Sequence, residues 1–308
     1  MKTLKKPFAV LLLLGVTLIW GSGFTVIKMI LHTGMSVGLI NILRGSGLAL
    51  LVLAFFGKKV FKMKKKDALV GIAAGLTNSL GYLFQSAGLK FTTPSVSAFL
   101  TILSTVFVPV IALVIYRVRP TWRLFPAVAL SIVGTFFLTG MSFGNLRLGT
   151  GELLSVGCAL SFAFSIAILS NTGEGVCSEA VVFWMGIMHG LGGTAYLFLF
   201  ENGQIGTIDW TSVILPILYM VIVASFLATA SQVVSQKSID ANTAAIIMTM
   251  EAVFGTLISL FAGYDRFAWS LVIGGSLIFC GVIMILLPKA EEMKTHFSVY
   301  RKRSMTGK

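Results

Sequence analysis

Three ionisable residues stand inside long apolar runs of this 308-residue chain: Arg44, His189 and Glu251. A carboxylate in such a setting binds a cationic group or carries a proton, and an arginine attracts an anion or pairs with the carboxylate. A histidine there relays protons or holds a hydrogen bond. Glu251, Arg44 and His189 are therefore the candidates for coupling or gating. The simpler roles stand beside these: a paired structural glutamate, a helix-packing arginine with Asn41 one turn away, and a hydrogen-bonded histidine between Gly186 and Gly190. Neutral polar residues follow a helical rhythm. Gly71, Gly75, Asn78, Tyr82 and Gln85 recur at steps of four and three, which puts them on one face of a helix. Ser97, Thr101 and Ser104 do the same, as do Ser225, Thr229 and Gln232. Trp20 and Phe24 lie one turn apart and read as an aromatic wall or a packing pair. The chemistry on offer is recognition of a small polar solute. The residues expected to contact it are Trp20, Asn78, Tyr82, Gln85, Thr101, Ser104, Thr229, Gln232 and Glu251. Any single Ser or Thr among them reads more simply as an interhelical hydrogen-bonding residue.

Bond-making chemistry is not signalled. There is no H-E-x-x-H, no Walker loop and no cluster with metal-ligand spacing, so no cofactor or metal is expected and the chain is not read as an enzyme. Gly140-Met141-Ser142-Phe143-Gly144 fits G-x-S-x-G, but it follows an apolar helix rather than a strand and lacks Asp and His partners. Cys158, Cys177 and Cys280 show no paired spacing and read as packing residues.

The elements that hold these residues follow from composition. Hydrophobic residues make up 56% of the chain and charged residues 11%, with mean hydropathy +0.93. A soluble domain carries roughly 25% charged residues. A soluble enzyme, a disordered chain and a disulfide scaffold are excluded. The net charge of +13 then reports membrane orientation rather than nucleic-acid binding. Ten segments approach the roughly 20 apolar residues needed to cross a bilayer. They run over 8–31, 36–56, 68–89, 93–116, 123–142, 151–170, 179–200, 211–236, 242–262 and 269–288. The first continues through Trp20 to Leu31 without an A-x-A site, so it reads as a span, not a cleaved signal.

Counting Lys and Arg between the spans puts 19 of the 24 on the side of the termini, including the run Lys58 to Lys66. Lys28, Lys90, Arg147 and Arg266 fall on the other side, and Arg44 lies within a span. The positive-inside rule then makes both termini cytoplasmic, in a multi-pass protein of the cell (inner) membrane. The basic run and the tail ending Arg301-Lys302-Arg303 are expected to touch anionic lipid. Expected partners are a small-molecule substrate, the lipid bilayer and protons as the candidate coupling ion, with no nucleic acid, in a monomer or homodimer.

The chain matches itself at a shift of 147. Gln85 falls on Gln232, Lys90 on Lys237, Ala98 on Ala245, Arg119 on Arg266 and Trp122 on Trp269. Nearer the N-terminus a shift of 142 sets Gly15 on Gly157 and Trp20 on Phe162. Five spans per repeat is an odd number, so the second repeat enters the membrane from the opposite face. The fold class is therefore an all-α integral membrane protein of ten transmembrane helices in two inverted five-helix repeats. The repeats cover 1–147 and 148–288, and 289–308 form a basic cytoplasmic tail. Inverted repeats recur in secondary transporters, because two copies of one pattern build inward-open and outward-open states. A passive channel, a non-transporting scaffold or sensor and an intramembrane enzyme are the alternatives.

Trp20-Gly21-Ser22-Gly23-Phe24 with Lys28 resembles the first-helix signature of the EamA family in the drug/metabolite transporter superfamily. Arg44 stands where that family has a helix 2 arginine. Phe99 to Pro109 followed by Arg117, Gly151-Glu152-Leu153, Glu251-Ala252-Val253-Phe254, and Gly274, Gly275 and Gly281 resemble its later motifs. The resemblance runs from about 8 to 288. It implies a ten-helix fold around a central cavity and transport of small metabolites, amino acids among them, often outward. Two features depart from the family's pattern. Ala252 replaces the proline that follows the helix 9 glutamate. The acidic residue after helix 4 is missing near Val118, while Asp265-Arg266 keeps a version of it after helix 9.

Overall fold

A computed structural model describes residues 4–92, 94–139, 149–173, 175–261 and 267–287. The G-x-S-x-G match, Arg147, Asp265, Arg266 and the basic tail lie outside the described residues. The described chain is helical throughout. Its elements are α1 (Lys6–His32), α2 (Val37–Val60), α3 (Lys65–Gly88), α4 (Pro94–Thr101), α5 (Ser104–Tyr116), α6 (Leu124–Thr139), α7 (Thr150–Ser170) and α8 (Ser178–Phe200). They continue with α9 (Trp210–Leu218), a π-helical segment (Tyr219–Leu227), α10 (Ala228–Gln236), α11 (Ala241–Met248), α12 (Met250–Phe261) and α13 (Trp269–Leu286). Local chemistry sets several starts. The Ser36 hydroxyl caps α2 through Leu39 N at 3.3 Å. Asp209 caps α9 and also accepts the Thr211 and Ser212 hydroxyls at 2.6 Å each. These hydrogen bonds hold its carboxyl below the ordinary range.

Eight helices among the described residues are long and apolar enough to cross a membrane, counting α4 with α5, α9 with α10, and α11 with α12 as continuous stretches. The two remaining expected spans are α3, which the polar stripe makes less apolar, and α6, whose apolar part, Leu124–Leu138, is short.

Three of the expected spans are not single regular helices. The fourth breaks between α4 and α5, the ninth breaks between α11 and α12, and the eighth carries the π segment. The two breaks occupy equivalent positions at the 147 shift and carry the same bonds. Ile102 N bonds Phe99 O at 3.3 Å and Thr105 N bonds Ile102 O at 2.8 Å; Thr249 N bonds Ile246 O at 3.1 Å and Ala252 N bonds Thr249 O at 3.2 Å. Each is an i to i−3 bond, the tighter 3₁₀ pattern. Hydroxyls compete for the carbonyls there: Thr101 Oγ1 donates to Ser97 O at 2.8 Å and Thr249 Oγ1 to Ile246 O at 2.7 Å. Apolar periodicity cannot register such a break, because the residues on either side stay in phase.

Packing relates the halves by a pseudo-twofold. Helix α1 packs on α12 as α7 packs on α4 and α5, and α3 packs on α7 as α10 packs on α1. The α2–α8 and α6–α13 pairs join equivalent helices. The α2–α8 crossing is close because glycines remove side chains from it. A Cβ on Gly45 would lie 2.1 Å from Gly190 N, and one on Gly193 would lie 2.6 Å from Ile42 N. Gly71 and Gly75 pack on α8 in the same way. Gly34 turns the chain between α1 and α2 at φ +86°. Both ends of the crossing are tied. Lys59 pairs with Glu179 at 2.6 Å, and Glu201 accepts Val37 N at 3.0 Å and Gly38 N at 2.9 Å and pairs with Lys90 at 2.9 Å.

Candidate functional site

Two small cavities, each about 30 Å³, lie at the centre of the bundle. That is room for water but not for a metabolite. The first is lined by Trp20 from α1, Arg44 from α2, Asn78, Tyr82 and Gln85 from α3, Gln232 from α10 and Glu251 from α12. The stripe on α3 therefore divides: its glycines face α8, and its polar residues face the cavity. Thr101 and Ser104 line the second cavity. Glu251, Met248, Phe162 and Ile166 line both and form the wall between them.

Tyr82 is the centre of the first cavity. The Arg44 guanidinium carbon lies 4.2 Å from its ring centroid, a cation–π distance. His189 stacks on the same ring at 4.8 Å with planes 17° apart. Phe162 and Trp20 meet it edge-on at 5.2 Å and 6.4 Å. His189 itself lines neither cavity. Its Nε2 is 2.7 Å from Asn41 Oδ1, and the Asn41 amide donates to Val37 O at 2.8 Å. With the Asn41 nitrogen donating, its oxygen accepts, so His189 Nε2 carries the hydrogen. Histidine thus orients Tyr82. Thr229 is placed with the substrate-contacting residues by its spacing, but it lines neither cavity. It stands beside the Tyr82 hydroxyl, one layer behind.

The π segment is anchored from two helices. Trp20 Nε1 donates to Ala224 O at 2.8 Å, and Arg44 Nε donates to the Ser225 hydroxyl at 3.1 Å. The Tyr219 and Ser22 hydroxyls meet at 2.6 Å. π segments often mark functional positions in helices.

Arg44 and Glu251 do not pair. Ion pairs form instead between Lys59 and Glu179 and between Lys90 and Glu201. Arg44 is 1% exposed, and among the described residues its Nη1 has no hydrogen-bond partner. Gln232 Oε1 is likewise buried without one. The Glu251 backbone is pressed against α1, since a Cβ on Gly21 would lie 2.6 Å from Glu251 O. This close approach fixes where the carboxyl begins.

Spacing alone passed over Phe162, Met248 and Ser225 as site residues. The signal for Phe162 was present, because the 142 shift sets it on Trp20. The 147 shift sets Met248 on Thr101. Ala252, which stands where the resembled family has proline, lies inside the 3₁₀ step, and its N–H makes the single bond to Thr249 O. It is also in the first turn of α12, where proline is tolerated. Ala252→Pro should therefore cost about 0.5–1.5 kcal/mol, the worth of one hydrogen bond. A proline in a helix interior costs about 3 kcal/mol or more. Thermal unfolding in detergent measures the difference; a collapse of the folded protein would show that α12 needs that N–H.

Three comparisons bear on this arrangement. The model of the EamA-like transporter family matches residues 7–140 and again 149–287. An uncharacterized transporter of Archaeoglobus fulgidus is 31% identical over 284 residues, covering 92% of this chain and 87% of that protein. A solved crystal structure superposes with a TM-score of 0.73 at 18% identity, covering 92% of this chain and 97% of that one. At that identity the last likeness concerns the fold alone.

Proposed function

The chain belongs to the EamA-like transporter family, and from that premise we propose that it carries a small zwitterionic solute of the amino-acid kind out across the cytoplasmic membrane. One observation carries this reading: Glu251 and Arg44 line one buried cavity, opposite in charge and not paired with each other. Two unpaired ionisable groups inside a bilayer are costly. A ligand with an ammonium at one end and a carboxylate at the other relieves both. Glu251 receives the ammonium, with Gln232 Oε1 as a second acceptor. Arg44 receives the carboxylate through Nη1. Trp20 closes on the solute with an aromatic face that favours a cation, while Tyr82, whose ring is covered by Arg44 and His189, offers its edge and hydroxyl. Asn78 and Gln85 supply further hydrogen bonds.

The transport cycle is alternating access. All ten helical stretches cross the bilayer, with both termini in the cytoplasm, and the two five-helix halves rock about the central site. The 30 Å³ cavities correspond to a contracted state between the two open ones. A proton on Glu251 is what the ammonium displaces, so outward solute movement is exchanged for inward protons.

The test is counterflow in proteoliposomes loaded with a labelled neutral amino acid. Zwitterions should compete. The corresponding amine and carboxylic acid, each lacking one charge, should compete at least tenfold more weakly, since each leaves one site residue unpaired. Equal competition by a singly charged analogue would remove the two-charge reading.

A further inference from the structure

The second cavity has a lining that the first lacks. Four of its residue pairs are equivalent at the 147 shift: Ala98 with Ala245, Thr101 with Met248, Ile102 with Thr249, and Ser104 with Glu251. It therefore sits on the pseudo-twofold, between the two helix breaks. Its chemistry is narrow. Among the described residues, no side chain with an N–H donor lines it. The Thr101 and Thr249 hydroxyls give their protons to their own helices, at 2.8 Å and 2.7 Å. What they turn to the cavity is acceptor lone pairs and methyl groups. Three walls are alanines, at 98, 245 and 252.

We propose that this cavity receives the side chain of the solute and restricts it to a short, uncharged aliphatic or hydroxylated group. The proposal rests on the zwitterion reading, in which Glu251 at the wall between the cavities holds the ammonium. The carbon bearing that ammonium is then next to the second cavity, and its side chain has one direction to go. A hydroxyl there donates to the free lone pairs of Thr101 or Thr249. An amide is bulkier than a hydroxymethyl group and would find only the Ser104 hydroxyl to donate to its oxygen. A cationic side chain would compete for a carboxylate already engaged, and an anionic one would face it. An aromatic ring would have to push back walls that already stand at the Cβ atoms of three alanines on α4, α11 and α12.

Counterflow competition with glycine, alanine, serine, threonine, valine, leucine, phenylalanine, lysine and glutamate tests this in the unmodified protein. Alanine, serine, threonine and valine should compete at concentrations roughly tenfold or more below those needed for phenylalanine, lysine and glutamate, a step of the size that one or two misfitting groups produce. Ala98→Val, or its equivalent Ala245→Val if the first does not fold, fills the cavity. Valine and threonine should then weaken about tenfold relative to glycine. Met248→Ala enlarges it and should admit leucine. A ranking unchanged in variants that still transport overturns the side-chain assignment and leaves the zwitterion reading standing. Failure of every zwitterion to compete in the unmodified protein removes that reading and this one with it.

Discussion

Glu251→Gln is expected to abolish most transport while the protein stays folded. The substitution keeps size and shape and removes the charge that meets the ammonium. Losing one partner of a buried charge pair costs about 2–5 kcal/mol, and each 1.4 kcal/mol is tenfold. The rate at low solute concentration should therefore fall by about 30-fold or more. Stability should hold, because among the described residues the Glu251 carboxyl has no hydrogen-bond or ion-pair partner that its loss would leave stranded. The amide should also remove any dependence of transport on a proton gradient. Counterflow, gradient-driven uptake and thermal unfolding on the same preparation separate these effects. A folded Glu251→Gln protein with full rate and intact proton dependence would take Glu251 out of the mechanism.

The second large effect falls on the fold. Gly45→Val should prevent assembly of the α2–α8 pair. Even the Cβ of alanine would stand 2.1 Å from Gly190 N and 2.6 Å from His189 C, both backbone atoms that cannot swing aside. Overpacking a close contact costs about 1–3 kcal/mol where side chains can adjust, and here the helices themselves must separate. The displacement would also move Arg44 and His189, the residues that hold Tyr82. Gly15→Ala is the control: nothing lies within 4 Å of its Cβ, and a helical alanine gains about 0.8–1 kcal/mol over glycine. Size-exclusion profiles and unfolding temperatures should split the two variants. Equal behaviour would mean that the crossing is looser than its geometry.

Much of this was legible along the chain. The steps from Asn78 to Gln85 are a local property of one helix, so spacing alone identified the face that turns to the cavity. Gln85 with Gln232, and Trp20 with Phe162, could be paired from self-similarity. Arg44 and Glu251 stood out because a charge in an apolar run is rare. The same spacing rule placed Thr229 with the cavity residues. A helical face is wide, so of Thr229 and Gln232, both on α10, Gln232 lines the cavity and Thr229 does not.

The sequence by itself determined the helical, membrane-crossing character of the chain, its duplication and the list of polar residues that the bilayer cannot ignore. All of these follow from composition, period and register, which are properties of neighbours in the chain. The tertiary structure alone decided that Arg44 and Glu251 share a cavity without pairing, that Tyr82 is held between His189, Arg44 and two other rings, and that α4–α5 and α11–α12 break at equivalent residues. These depend on which backbone approaches which. A glycine opposite a glycine and a hydroxyl turned toward its own carbonyl set those approaches, at separations no local pattern encodes.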